Sequence, residues 1–242
     1  MNPRVSLLVL ITLIFFSCRT DVKEETPVLE TTPKTLISEI DTFYGGENLL
    51  AITDTTEEVF NSLFNFKPDT SERNNIARDS KFISRNGDTL FLKLDNGTFK
   101  KLVSDKDMES DNFADYEYIG KINPINYYLV FIAYFESFDY LMINTKTGKE
   151  TYICGIPAIS PNNKYLAASS CDLQAGFVLN GIEMYDIESD SLKLNWRRVL
   201  NKWGANELVW LNDHTLIAEK YQLDSSSHNL VSSFIKLSCV GK

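Results

Sequence analysis

The sequence predicts an all-β fold, an antiparallel meander in units of roughly four strands, with a short helix near its N-terminus. Three observations predict it: Asn-Gly pairs set between β-rich runs, a close succession of short strands divided by turn residues, and a strand-and-turn pattern that recurs along the chain. The 242 residues, 43% of them apolar, suffice for one sizeable core or two small ones. Acidic side chains number 33 against 24 basic, a net charge of −9, which argues against a nucleic-acid partner because no basic surplus exists to neutralise phosphates. Two histidines in all leave little room for a histidine-built metal or triad site.

The chain begins MNPRVSLLVLITLIFFSC over residues 1–18. One charge, Arg4, precedes the apolar stretch from Val5 to Phe16, and Ser17 and Cys18 follow. At ~1.5 Å per helical residue that stretch spans roughly 18 Å, short of the ~30 Å needed to cross hydrocarbon. It has the layout of an export signal. The cysteine directly after a small residue resembles a bacterial lipoprotein signal, although Phe15 departs from the commonest aliphatic choice three residues before the cysteine. The resemblance implies cleavage of the signal peptide 1–17, acylation of the Cys18 thiol, and a lipid anchor in the bacterial cell envelope, on the periplasmic or outer face of the outer membrane. Ordinary secretion with an incidental Cys18 is the alternative. Residues 19–35, rich in Thr, Glu and Pro, cannot bury enough apolar area to offset their ordering entropy, so 18–35 reads as a lipidated flexible tether. Within it Lys23-Glu24-Glu25 resembles a surface-export signal of some lipoproteins; a solvated charge run is the plainer reading.

Residues 36–79 read as a helical segment packing on the main domain. Asp54 can cap a helix, with Glu57 reaching back, and Val59, Phe60, Leu63 and Phe64 fall on one face. Lys67-Pro68 would end it. Upstream, Phe43-Tyr44-Gly45-Gly46 looks like a turn, and 36–52 is a source for one further strand.

From residue 80 the pattern changes to strands, and 80–242 reads as the main domain. Asn86-Gly87 and Asn96-Gly97 mark hairpins, because both residue types tolerate positive φ. Further β-rich runs begin at Tyr116, Tyr127, Tyr140, Glu150, Pro157, Tyr165, Gly181, Leu192, Leu208, Thr215 and Ser232. Thr147-Gly148, Pro161-Asn162-Asn163 and Asn212-Asp213 supply turns between them.

Stacking these runs exposes a repeat. Residues 157–199 open PAISPNNKYLAAS and continue GIEMYDIESDSLKLNW, which gives four strands. This resembles a WD40-like or TolB-type β-propeller blade, with SPNNK at 160–164 as the inner turn, Asn163 standing for the usual glycine, and MYDIESDSL at 184–192 as the outer hairpin. Residues 116–153 and 207–238 repeat the plan, and 80–103 form a degenerate first unit. The resemblance implies a propeller-like domain of about four or five blades, complete or incomplete; an open meander or sandwich is the alternative.

Candidate chemistry is sparse. A hairpin centred on Asn162-Asn163 pairs residues whose numbers sum to about 325, which sets Cys154 against Cys171 as a disulfide candidate for an exported protein; two reduced, packed thiols are the other reading. Cys239 has no evident partner and reads as a buried free thiol. Asp105, Asp107, Glu109 and Asp111 alternate as calcium ligands do, but an EF-hand loop would need Gly where Ser110 stands and Glu where Tyr116 stands, so a solvated acidic loop fits better. No nucleophile elbow, zinc-protease pair or phosphate-cradling loop is present, His214 and His228 fall in polar loops, and no cofactor is expected. Tyr127, Tyr128, Phe131, Tyr134, Phe135, Phe138 and Tyr140 crowd one hairpin, and Trp196, Trp203 and Trp210 fall near unit boundaries. Such rings can stack on a sugar or peptide, and more often fill space between sheets.

These readings converge on an exported, membrane-anchored module that binds protein, peptide or glycan. The alternatives are a carboxylate-dependent, glycosidase-like hydrolase and a periplasmic lipoprotein of envelope assembly.

Overall fold

Asn163 takes φ 57°, Gly87 φ 55° and Gly97 φ 85°, so the turns read from the sequence adopt the left-handed backbone their chemistry allows. The computed structural model describes residues 41–63, 71–227 and 229–239. The signal peptide, Cys18, the tether, Phe64 and His228 lie outside the described residues.

In chain order the elements are β1 (Asp41–Gly45), β2 (Asn48–Thr55), α1 (Glu57–Leu63), α2 (Glu72–Arg78), β3 (Ile83–Asn86), β4 (Thr89–Lys93), β5 (Phe99–Val103), β6 (Asp115–Ile122), β7 (Tyr127–Ala133), β8 (Phe138–Asn144), β9 (Glu150–Ile153), β10 (Ala158–Ile159), β11 (Tyr165–Ser170), β12 (Gly181–Ile187), β13 (Leu192–Val199), β14 (Gly204–Asn212), β15 (Thr215–Leu223) and β16 (Leu230–Cys239). They form four antiparallel sheets, none closed on itself: sheet I is β3-β4-β5, sheet II β6-β7-β8-β9, sheet III β10-β11-β12-β13, and sheet IV β1-β2-β16-β15-β14.

Three buried clusters join these sheets as neighbours in a row. Leu90, Leu92 and Leu102 of sheet I meet Tyr128, Val130 and Ile132 of sheet II. Tyr127, Leu129 and Met142 of sheet II meet Leu166, Ala168 and Tyr185 of sheet III. Ile182, Met184 and Trp196 of sheet III meet Trp210, Leu216, Ile235 and Leu237 of sheet IV. Sheet II is covered on both faces, which is why Tyr127–Ile132 reads as an unbroken apolar run; β4, in an end sheet, alternates instead.

The N-terminal segment differs from the helix expected of it. Asp54 does not cap a helix. It lies in β2, paired with Ile235 of β16, and the helix starts at Glu57 with Val59 N–H donating to the Thr56 hydroxyl. Pairing to a strand some 180 residues away holds Asp54 extended, and no local signal reveals that. The same hairpin, β1-β2, gives sheet IV two strands rather than one. On the far face of sheet IV, Phe60 of α1 packs on Phe234 with ring centroids 5.2 Å apart. The second helix was not anticipated as a separate element. Ser71 caps α2, and Glu72 receives the Tyr118 backbone N–H at 2.8 Å and Arg85 at 2.6 Å, tying the helix to sheets I and II.

Candidate functional site

A cavity of about 700 Å³ opens between sheets III and IV. Three aromatic rings line it and each is held by its surroundings. Trp210 on β14 donates from Nε1 to the Ala158 carbonyl at 3.0 Å and stacks on Tyr165 of β11, centroids 6.3 Å apart at 25°. Trp196 on β13 is backed by the β1-β2 turn: a Cβ placed on Gly45 would lie 2.8 Å from its Cζ2, so only glycine lets that backbone approach.

A β-bulge brings Asn195 to the same cavity. In β12-β13, Tyr185 pairs with Leu194 and Met184 with Trp196, so Asn195 is the extra residue on the bulged strand. Asn195 and Trp196, adjacent in sequence, therefore both line the cleft instead of turning to opposite faces. The Asn195 amide donates to both oxygens of Asp186, at 3.0 and 3.1 Å, which leaves its carbonyl oxygen for a ligand. Asn48, Asp213 and His214 complete the polar lining. Asp213 accepts the Asn162 backbone N–H at 2.9 Å, and among the described residues no Lys or Arg lines the cavity.

Cys239 also borders this cleft. The thiol is free but exposed, not buried as expected, because it stands at the last residue of β16, where the pairing with β2 ends. Partial desolvation raises its pKa, so it is a protonated thiol near neutral pH and a poor nucleophile.

A second, polar cleft lies where sheets II, III and IV approach. Cavities of about 160 and 200 Å³ there share Phe138 and Cys154. Beside them Glu183 of β12, only 2% exposed at its side chain, holds Arg197 through Nε at 2.7 Å and Nη2 at 2.5 Å, and accepts from the Tyr185 hydroxyl at 3.0 Å and the Cys154 backbone N–H at 2.9 Å. Burial, then the Glu183 charge, raises the Cys154 and Tyr185 pKa values; burial followed by Glu183 also lifts the carboxyl of Asp139 above the usual range. Glu183 escaped the sequence reading. Its one signal was a lone carboxylate within the apolar stretch Gly181–Tyr185.

The structure leaves Cys154 and Cys171 unbridged. Ala158 pairs with Ala167 and Ile159 with Leu166, the register in which partner numbers sum to 325, but β10 is only these two residues long and the pairing does not reach back to Cys154. A Cβ on Gly155 would fall 1.8 Å from the Ser169 carbonyl, and the Cys154 thiol bonds to the Ser170 side chain. Alternation then turns Cys171 to the other face, where it meets Gly204.

The acidic loop gathers no cation site. Asp105 accepts the Asp107 N–H at 3.1 Å and the Ser110 hydroxyl at 2.6 Å, and Asp107 accepts the Glu109 N–H at 3.0 Å, so the carboxylates cap their own turns. Neither these nor Asp111 belong to any metal-competent cluster among the described residues. Of the hairpin aromatics, Tyr127 and Tyr128 are buried, Phe131, Phe138 and Tyr140 stack on one another within 6.1 Å, and Phe135 is exposed at the turn.

No family model matches the sequence, and no curated protein matches it. A solved structure from Bacteroides uniformis, provisionally named a 6-phosphogluconolactonase, aligns at 10% identity and a TM-score of 0.29, over 83% of this chain and 57% of that one. The chain thus spans a little over half of that structure, and likeness at this level carries no argument. No helix among the described residues is long and apolar enough to cross a membrane, which leaves strand-built membrane proteins aside.

Proposed function

We propose that the protein is an exported, lipid-anchored binding module whose ligand sits in the cleft between sheets III and IV. One observation carries the reading: a cavity of about 700 Å³ with fixed aromatic walls and convergent polar groups, a size and lining in the range of small-molecule sites. The four-sheet row also supports a propeller-like arrangement in which the sheets act as blades. Anchoring through Cys18 rests on the signal-like N-terminus and would keep the cleft at a membrane surface in the outer-membrane envelope.

Two measurements test this. Metabolic labelling with an alkynyl fatty acid should tag the wild-type chain and spare Cys18→Ser; equal labelling, or none in either, overturns the anchor. Native mass spectrometry of the protein isolated from its own envelope should show a small-molecule adduct that is absent from the cleft-filling variant Leu216→Trp. An adduct indifferent to that variant, or no adduct, overturns the cleft as the site.

A hydrolase reading draws on Asp139, whose raised pKa suits a general acid. Its neighbour Glu183 is bound to three groups and suits orientation rather than reaction. Binding is therefore the better reading, and hydrolysis of an oligosaccharide abolished by Asp139→Asn would reverse that order.

A further inference from the structure

From the chemistry of the cleft walls we infer that the ligand is a neutral saccharide; the inference rests on the cleft being the ligand site. Trp196 and Trp210 are rigid before any ligand arrives, one backed by glycine backbone and the other fixed by its indole hydrogen bond and the Tyr165 stack. Rings held in this way present flat apolar surface at little entropic cost, and the CH faces of a sugar ring match such surface.

The polar groups select among apolar-faced ligands. Asn195 offers a carbonyl oxygen and Asp213 a second carboxylate oxygen, while Asn48 and His214 stand nearby. Hydroxyl groups satisfy such acceptors and donors together. An acyl chain would leave the remaining acceptor oxygens of Asn195 and Asp213 buried without a donor, which disfavours it. Charge settles the rest: the lining holds the carboxylate of Asp213, no Lys or Arg among the described residues lines the cleft to answer it, and the chain as a whole carries −9. A phosphorylated or uronic-acid sugar would meet repulsion there.

The test is calorimetry and tryptophan fluorescence on the intact domain with cello-, xylo-, manno- and maltohexaose, with hexagalacturonate as the anionic contrast and N-phenyl-1-naphthylamine as an apolar probe. At least one neutral hexaose should bind with a Kd below about 1 mM and shift the emission. Asn195→Ala and His214→Ala, both at solvent-reaching positions, should each weaken that binding on the order of tenfold with the fold intact by circular dichroism. Naphthylamine binding without any neutral hexaose would overturn the saccharide while leaving the cleft a ligand site; binding of neither probe overturns both. Equal affinity for hexagalacturonate overturns the charge argument, and hexaose binding untouched by both variants moves the site elsewhere and overturns the inference.

Discussion

Asp213, on the turn between β14 and β15, accepts the backbone N–H of Asn162, on the turn between β10 and β11, at 2.9 Å. One carboxylate thus ties sheet III to sheet IV at the mouth of the cleft they enclose. Asp213→Ala should cost about 1 kcal/mol, since the bond is charge-assisted but solvent-reaching. Urea denaturation measures the cost, and hydrogen exchange should speed up at the Asn162 amide while the β7 amides stay protected.

The Glu183–Arg197 pair is asymmetric, with side chains 2% and 52% exposed. Removing the arginine strands a buried carboxylate, so Arg197→Ala should destabilise by about 2–4 kcal/mol at pH 7. Removing the carboxylate as well, in Glu183→Gln/Arg197→Ala, should recover part of that loss, because no unpaired charge is then left buried. Urea denaturation in which the double variant is no more stable than Arg197→Ala would refute this.

Asp139 gives the opposite kind of pH dependence to a paired surface acid. Burial and the Glu183 charge raise its native pKa, so its contribution to stability is complete below the unfolded value of about 3.9 and is lost as pH rises through the native value. Asp139→Asn cannot ionise. It should melt higher than wild type at pH 7, and the two curves should converge below about pH 4.

Gly45→Ala should push Trp196 from its seat, because the added Cβ would stand 2.8 Å from the indole. Overpacking of this kind costs about 1–3 kcal/mol, and the tryptophan emission should move with it. A matched substitution at Gly87, with nothing within 4 Å, should leave the emission unchanged, although its φ of 55° still disfavours alanine.

Much of the strand order was legible because it is written locally. Asn86-Gly87 and the SPNNK turn fix backbone sign, and the 325 register holds wherever β10 and β11 are paired. What escaped was set by distant or irregular contacts. Asp54 looks like a cap until β16 claims it. The disulfide register stops with the two-residue β10, and at Gly155 the backbone instead closes on the Ser169 carbonyl. For Glu183, the hairpin register of Tyr185 and Leu194 would have set it against Trp196; the bulge at Asn195 pairs it with Arg197 instead. The same irregularity made half of the cleft illegible, since two adjacent residues that alternation assigns to opposite faces share one wall.

Sheet IV joins the earliest described strands to the last, with β2 against β16. A chain delivered N-terminus first, as by a secretion channel, would keep β1 and β2 waiting until its final forty residues emerge. Leu50 and Trp196 would stay uncovered meanwhile, so the cleft between sheets III and IV is assembled last, and a chain cut short before residue 230 would arrive without it.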